Sequence, residues 1–214
     1  MVLTIEITSD FICPWCYVAE ARLNRAIALL KPSIEIQRVW YPFELNPDMP
    51  ILGMERKVYR TKKFGSWEYS QLLDAQTLQA TREDEIEFRY DLMTITPNTL
   101  KAHRLTWLAA QQGSATDMAE RILKAYFTEG HDIVEVEDLT GLAAEVGMNA
   151  VTVREFLLSE AGAQEVRKLE SQAVAQGIRG VPHIRIGETV LSGAQSLDTF
   201  LTALQGTVSA LSRA

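Results

Sequence analysis

The tetrapeptide Cys13-Pro14-Trp15-Cys16 follows an apolar alternating segment, directly precedes a helical pattern and contains both cysteines of the chain. Two thiols on the first turn of a helix can close a disulfide with little backbone movement and can open it again. Because the chain has no third cysteine, neither thiol is committed to another bridge. In a cytosolic protein, this spacing beside a β-α-β pattern is typical of a redox-active dithiol.

The position of the motif at a helix start predicts different roles for the two thiols. The first N–H groups of a helix have no internal partner and the peptide dipoles add there, so a thiolate at Cys13 is stabilised. Thiolates are the nucleophiles of disulfide exchange, and in such motifs the thiol pKa falls from about 8.5 to roughly 3.5–7.5. We therefore predict that Cys13 is the nucleophile and Cys16 the resolving thiol. Pro14 suits the first helical turn, and Trp15 is predicted to flank the thiols and contact a client chain.

Two other interpretations of the cysteine pair remain open. The pair would be half of a zinc site if a second pair of ligands existed, but His103, His131 and His183 are dispersed along the chain. Alternatively, both thiols are inert and lie one helical turn apart by coincidence. The surrounding pattern favours redox chemistry. We predict no metal and, because no glycine-rich phosphate loop follows a strand, no flavin or nicotinamide cofactor.

Length, charge and hydropathy restrict the class of protein. The 214 residues suit one domain that carries a large insertion. A net charge of -7 without a basic stripe argues against nucleic-acid binding. No apolar run approaches the ~20 residues that span a bilayer. Residues 1–7 alternate like a strand and lack the features of a secretory signal, so we predict a cytoplasmic protein whose disulfide is transient and catalytic.

The rest of the chain predicts a β-α-β unit, a helical stretch and a β-β-α unit. An amphipathic helix that ends at Lys31-Pro32 separates the first strand from an alternating segment at 34–40. This crossover predicts a right-handed connection and a parallel strand pair. In the helical stretch, Thr96-Pro97 predicts a helix start, with threonine as the N-cap and proline in the first turn. The chain ends with a β-hairpin and a capped helix.

This order predicts an α/β, thioredoxin-like fold with a large helical insertion. We assign residues 1–47 and 178–214 to the thioredoxin-like domain and 48–177 to the inserted helical subdomain. A proline at the start of a core strand weakens the strand ladder, so Pro182 needs a reason to be there. In a thioredoxin-like fold a cis-proline loop faces the dithiol at this point, and X-Pro bonds adopt cis at low cost. We predict a cis Val181-Pro182 bond that leaves the Val181 backbone free for a client segment; an ordinary trans proline at a strand edge is the alternative.

Four segments spread over essentially the whole chain carry a resemblance to the FrnE-like proteins of the DsbA family. They are Asp10-Phe11-Ile12-Cys13-Pro14-Trp15-Cys16-Tyr17, Pro42-Phe43-Glu44-Leu45-Asn46-Pro47, Asn98-Thr99 with Ala102-His103-Arg104-Leu105, and Gly180-Val181-Pro182 with Gly193-Ala194-Gln195. The resemblance implies a DsbA-like thioredoxin fold and thiol-disulfide oxidoreductase or disulfide isomerase activity. It assigns Cys13 as the nucleophile, Cys16 as its partner and Pro182 as the cis-proline.

Four titratable side chains are candidates for assisting proton transfer. His183 directly follows Pro182, where many of these proteins have an aromatic residue; it is either a thiolate-stabilising or proton-relaying group or a packing residue. His103 is either a core histidine or a pocket residue that faces the thiols. Asp10 is a turn or capping residue, and Glu44 is either a buried acid or a solvated loop carboxylate. The acidic residue that thioredoxin has six residues before its first cysteine is replaced here by Ile7.

Three functional hypotheses follow. The leading one is a thiol-disulfide oxidoreductase that acts on protein or small-molecule thiols and disulfides through a mixed disulfide. Its predicted substrate-binding residues are Pro14, Trp15, Val181, His183 and His103.

The second hypothesis is a glutathione-dependent isomerase or transferase of the 2-hydroxychromene-2-carboxylate isomerase or kappa type. Those enzymes resemble the same fold but have a serine at the position of Cys13, so the intact dithiol argues against them, while glutathione as a co-substrate stays open. The third is a client-binding chaperone module. A homodimer is compatible with the sequence.

Overall fold

The computed structural model describes residues 2–31 and 34–212. Met1 of the predicted first strand, Pro32 of the predicted helix end and the last two residues of the predicted range 178–214 lie outside the described residues. The strands are β1 (Val2–Ser9), β2 (Glu35–Pro42), β3 (Met54–Glu55), β4 (Ile95–Thr96), β5 (His183–Ile186) and β6 (Thr189–Ser192). The helices are α1 (Pro14–Leu30), α2 (Arg56–Phe64), α3 (Trp67–Ala80), α4 (Leu100–Ala110), α5 (Ala115–Lys124), α6 (Val136–Glu145), α7 (Ala150–Leu158), α8 (Ala163–Ala175) and α9 (Leu197–Leu211), with a π-helical turn at Ala125–Glu129 after α5.

A four-stranded sheet in the order β2-β1-β5-β6 organises the two ends of the chain. β1 and β2 are parallel, whereas β1 with β5 and β5 with β6 are antiparallel. The predicted alternation of β1 is confirmed, because its apolar side chains Leu3, Ile5 and Ile7 are in the core and at most 2% exposed. The predicted parallel β-α-β unit and the C-terminal hairpin with its following helix are therefore confirmed.

Helix α1 packs into two hydrophobic clusters. On one side Leu23 joins the sheet residues and Phe200 of α9. On the other side Val18, together with Phe11, packs among side chains of the helical stretch such as Leu105 of α4. The predicted boundaries of the inserted helical subdomain are not tested by this packing and stay a prediction. In the described ranges, no helix combines the length and apolarity that crossing a membrane requires.

The predicted helix start at Thr96-Pro97 is wrong. Thr96 belongs to β4 and pairs with Met54 of β3, which requires an extended backbone. Helix α4 begins at Leu100, whose amide donates to the side-chain oxygen of Asn98 at 3.0 Å. Thr96, which local propensity predicts as an N-cap, is therefore part of a short two-stranded sheet. The side chain of Asn98 accepts the hydrogen bond from the first turn of α4 instead.

Arg104 of α4 anchors the connection between α7 and α8. Its guanidinium donates to the carbonyl oxygens of Phe156, Ser159 and Ala161 at 2.8, 2.6 and 2.7 Å and lies over the Phe156 ring. The residue is 3% exposed. A planar fork with several fixed N–H donors matches this set of acceptors, whereas the point charge of a lysine does not.

We predict that Arg104→Lys lowers the free energy of unfolding by about 2 kcal/mol, because buried carbonyls lose charge-assisted hydrogen bonds. Urea denaturation at constant pH measures the loss. The matched control is Arg154→Lys in α7, where an exposed guanidinium pairs with exposed Glu137; we expect its effect to stay within about 0.5 kcal/mol. Equal effects of the two replacements would contradict the anchoring role of Arg104.

Candidate active site

The dithiol motif begins α1, as predicted. Cys13 is the N-cap with an extended backbone (φ -91°, ψ 108°), and Pro14 occupies the first turn. The Cys16 amide donates to the Cys13 carbonyl at 3.0 Å, and the Cys13 amide donates to the Asp10 carbonyl at 3.2 Å. The first turn of α1 contains no acidic side chain. The helix dipole therefore acts on Cys13 without a carboxylate of the same turn opposing a thiolate there.

The loop that precedes β5 reaches Cys13. The Val181-Pro182 peptide bond is cis, as predicted. The Cys13 thiol donates to the Val181 carbonyl at 3.6 Å, although 168 residues separate the two. Pro182 is buried, and its carbonyl accepts from the Gly193 amide at 2.9 Å. The structure thus brings together Cys13, Val181 and Pro182, which the sequence placed in two distant segments.

Both thiols are buried, and burial acts strongly on the Cys16 thiol. Cys16 is 3% exposed, and this burial, followed by the neighbouring Cys13, raises the pKa of its thiol well above the ordinary value. The Ser9 hydroxyl and the Asp10 backbone oppose the shift. Cys16 is therefore protonated in the reduced protein over the physiological pH range, as suits a resolving thiol that must lose a proton before it reacts.

A cleft of about 400 Å³ opens beside the motif. Cys13, Pro14 and Trp15 line it, and Trp15 is 38% exposed. His103, Val181 and His183 are not among its lining residues. Of the predicted substrate-binding residues, Pro14 and Trp15 therefore line the cleft, and Val181 contacts Cys13 from the cis-proline loop. The two histidines are not part of the cleft lining.

The far wall of the cleft has an excess of positive charge that the sequence analysis did not find. Arg56, Arg60 and Lys63 line it together with the single carboxylate of Asp74. Asp74 pairs with both arginines, at 2.7 Å and 2.8 Å. The three basic residues follow i, i+4, i+7 spacing on α2, which puts them on one helix face. That periodicity is the sequence signal that could have identified them.

His183 is the first residue of β5, directly after Pro182. It pairs with Thr8 of β1 and Ser192 of β6 and is half-buried. Burial, and then the charge of Arg185, lower the pKa of its imidazole. The neutral ring is therefore favoured at neutral pH, and stabilisation of a thiolate by a charged His183 is disfavoured.

His103 is buried behind the motif in a polar cluster. It is 5% exposed, its Nε2 lies 3.3 Å from Asp10 Oδ1, and its ring contacts Phe11. Asp10 is fully buried, and its other oxygen accepts from the Leu45 amide at 2.7 Å. Neither this cluster nor any other group in the described part of the chain sets three side chains in place for a metal ion.

Glu44 is the half-buried acid at the edge of this cluster. Its amide donates to Glu170 of α8 at 2.9 Å. Burial, and then the charge of Glu170, raise the pKa of the Glu44 carboxyl to about 7, and His103 opposes the shift. Burial also raises the pKa of Glu170, whereas His103 lowers it. The two carboxyls and His103 therefore influence one another electrostatically.

Comparisons with known proteins agree over almost the full length of the chain. A family model described as a DSBA-like thioredoxin domain matches residues 4–205. The crystal structure of a probable DsbA oxidoreductase from Streptomyces coelicolor is 29% identical with a TM-score of 0.85, over 96% of this chain and 89% of that one. YwbO of Bacillus subtilis (strain 168) is 27% identical over 95% of this chain and 96% of its own length. The 2-hydroxychromene-2-carboxylate isomerase of Sphingobium xenophagum is 26% identical over 92% and 96%.

These matches confirm the predicted DsbA-like thioredoxin fold. They also include a protein described as an oxidoreductase and one described as an isomerase. The family model alone spans more than nine-tenths of the chain, from the first strand to the last helix. The chain belongs to the DSBA-like thioredoxin domain family.

Proposed function

We propose that the protein is a thiol-disulfide oxidoreductase that acts through a mixed disulfide on Cys13. The observation that supports this most directly is the contact between Cys13, at the start of α1, and the Val181 carbonyl of the cis-proline loop. A sulfur at a helix N-terminus is the better nucleophile, and the adjacent backbone offers hydrogen-bonding groups to an extended substrate. The buried Cys16 next to it supplies the second thiol.

In the reducing direction, the Cys13 thiolate attacks one sulfur of the substrate disulfide. The substrate S–S bond breaks, one substrate thiolate leaves and a Cys13 mixed disulfide forms. Cys16 then loses its proton and attacks the Cys13 sulfur, which releases the second substrate thiolate and leaves a Cys13–Cys16 disulfide. In the oxidising direction the same steps run in reverse, beginning with a substrate thiolate that attacks Cys13.

The substrates in this proposal are protein or small-molecule disulfides and thiols. Trp15 and Pro14 offer an apolar surface on the cleft wall, while Arg56, Arg60 and Lys63 favour anionic groups on the opposite wall. Glutathione, with its carboxylates, suits such a cleft as a co-substrate. The proposed compartment is the cytoplasm, where a transient disulfide is the expected state of such a motif.

The isomerase relative motivates a second candidate, a glutathione-dependent isomerase. An enzyme of that type needs no disulfide between positions 13 and 16. A serine at this position is therefore compatible with isomerase activity but not with disulfide exchange. The third hypothesis, a client-binding module, requires neither thiol.

We predict that Cys13→Ser reduces the rate of insulin-disulfide reduction to the uncatalysed background, because the attacking thiolate is gone. Cys16→Ser keeps the first step, so it accumulates a mixed disulfide of one substrate thiol per protein. Turnover assays measure the first effect and intact-protein mass spectrometry the second.

Circular dichroism provides the control that both variants are folded. Unchanged turnover in Cys13→Ser would sink the oxidoreductase proposal. Isomerisation of an aromatic substrate with glutathione that survives this replacement would favour the second candidate, and unchanged protection of an unfolded client without turnover would favour the third.

We predict that Lys63→Gln slows the reduction of an anionic disulfide such as oxidised glutathione by about threefold at low salt, because one cation of the cleft is lost. The rate with a cationic disulfide such as cystamine stays the same or rises. Lys57→Gln is the matched control, since Lys57 is exposed on α2 and does not line the cleft. Stopped-flow kinetics at two salt concentrations measure the difference. An equal loss of rate with both disulfides would contradict an electrostatic role.

A further inference from the structure

A small cavity lies beside both Ser9 and the buried His103. Ser9 is 4% exposed, and its hydroxyl makes no hydrogen bond of standard geometry within the described residues, although it lies close enough to Cys16 to lower the pKa of that thiol. Ser9 and His103 both line this space, which has a volume of about 40 Å³ and is otherwise walled mostly by apolar side chains. This volume accommodates at least one water molecule, and a hydroxyl and an imidazole supply polar partners for it.

The same histidine also interacts with carboxyl groups from other parts of the fold. The ionisable groups that face His103 are Asp10 from the turn before α1, Glu44 from the segment after β2, and Glu170 from α8. Arg167 of α8 acts on both glutamates. Glu44 and Glu170 are half-buried and line a separate open groove of about 760 Å³, which does not include either cysteine.

We propose that Ser9, a water molecule in the small cavity, His103 with Asp10, and the Glu44–Glu170 pair form a proton path from the Cys16 thiol to the open groove on α8. This inference rests on the proposed dithiol chemistry, and it assigns the proton acceptor of the resolving step. The acidic residue that thioredoxin has near its dithiol is replaced by Ile7, a fully apolar side chain. The proposed path instead reaches Cys16 through Ser9, the last residue of β1.

The step balances without a further reactant. In the mixed disulfide, the Cys16 thiol gives its proton to the Ser9 hydroxyl, which passes a proton through the water to His103. The Cys16 thiolate then attacks the Cys13 sulfur, the Cys13–substrate bond breaks and the substrate leaves as a thiolate. The proton held by His103 and Asp10 moves to Glu44 or Glu170 and from there to solvent. The groove lets this proton leave while the substrate still occupies the cleft.

The experiment separates the two exchange steps in a single turnover. Reduced protein is mixed with dithiobis(nitrobenzoate), whose thiolate absorbs visible light when it is released. The first release reports attack by Cys13 and depends on reagent concentration, whereas the second reports attack by Cys16 and does not. Both rates are measured from pH 5 to 9 for the native chain and for Ser9→Ala, His103→Gln and Glu44→Gln.

We expect Ser9→Ala and His103→Gln to slow the second release at neutral pH by about tenfold or more and to leave the first within about twofold. In the native chain the second rate rises with pH and levels off above about 7, because Glu44, whose pKa is about 7, accepts a proton only when it is ionised. In Ser9→Ala and His103→Gln it continues to rise up to pH 9, because the Cys16 proton must reach solvent directly. Glu44→Gln loses the inflection near pH 7.

Thr140→Val is the matched control, since it also removes a buried hydroxyl without a hydrogen-bond partner in the described residues, but from α6. We expect it to leave both rates unchanged. The proton path is refuted if the second rates and pH profiles of Ser9→Ala and Glu44→Gln match the native ones, or if a variant slows both releases equally. Absence of any second release from the native chain refutes instead the proposed dithiol function.

Discussion

The antiparallel pairing of β1 with β5 is the constraint on which the rest of the site depends. Its register puts Thr8 opposite His183, so the end of β1 and the beginning of β5 lie side by side. The chain leaves β1 toward Cys13 and enters β5 from Pro182. Two segments that are distant in sequence therefore meet at the same end of the two central strands. The contact between Cys13 and the Val181 carbonyl follows from this strand pairing rather than from any attraction between the two residues.

The same constraint separates the environments of the two thiols. Cys13 caps α1 and lines the cleft, whereas Cys16, one turn later, points into the interior beside Ser9 and the Asp10 backbone. Burial favours the protonated thiol at Cys16. Cys13 lies at the helix N-terminus, where the peptide dipoles add. A helix that begins at the end of a central strand thus places one sulfur of the tetrapeptide on the cleft wall and the other beside Ser9 in the interior.

The sequence predicted the elements whose evidence is local. The two-residue period of β1, the proline in the first turn of α1 and the position of Pro182 each depend on a few neighbouring residues. The structure departs from prediction where a distant partner decides. Thr96 is in a strand because Met54 pairs with it, and Glu44 belongs to a buried cluster because Glu170, 126 residues later, accepts from its amide. No pattern around Glu44 contains that information.

Net charge describes this protein poorly at the cleft beside the dithiol. The chain carries a formal charge of -7, yet three cations and one carboxylate line the cleft beside Cys13. At physiological ionic strength the Debye length is about 8 Å, so exposed acidic residues elsewhere on the surface contribute little at the dithiol. Because Asp74 pairs with both Arg56 and Arg60, Lys63 on the cleft rim is the cation without a carboxylate partner among the described ion pairs. The proposed preference of the cleft for anions therefore depends on the arrangement of a single helix face, and an acidic protein can present a cationic entrance to its dithiol.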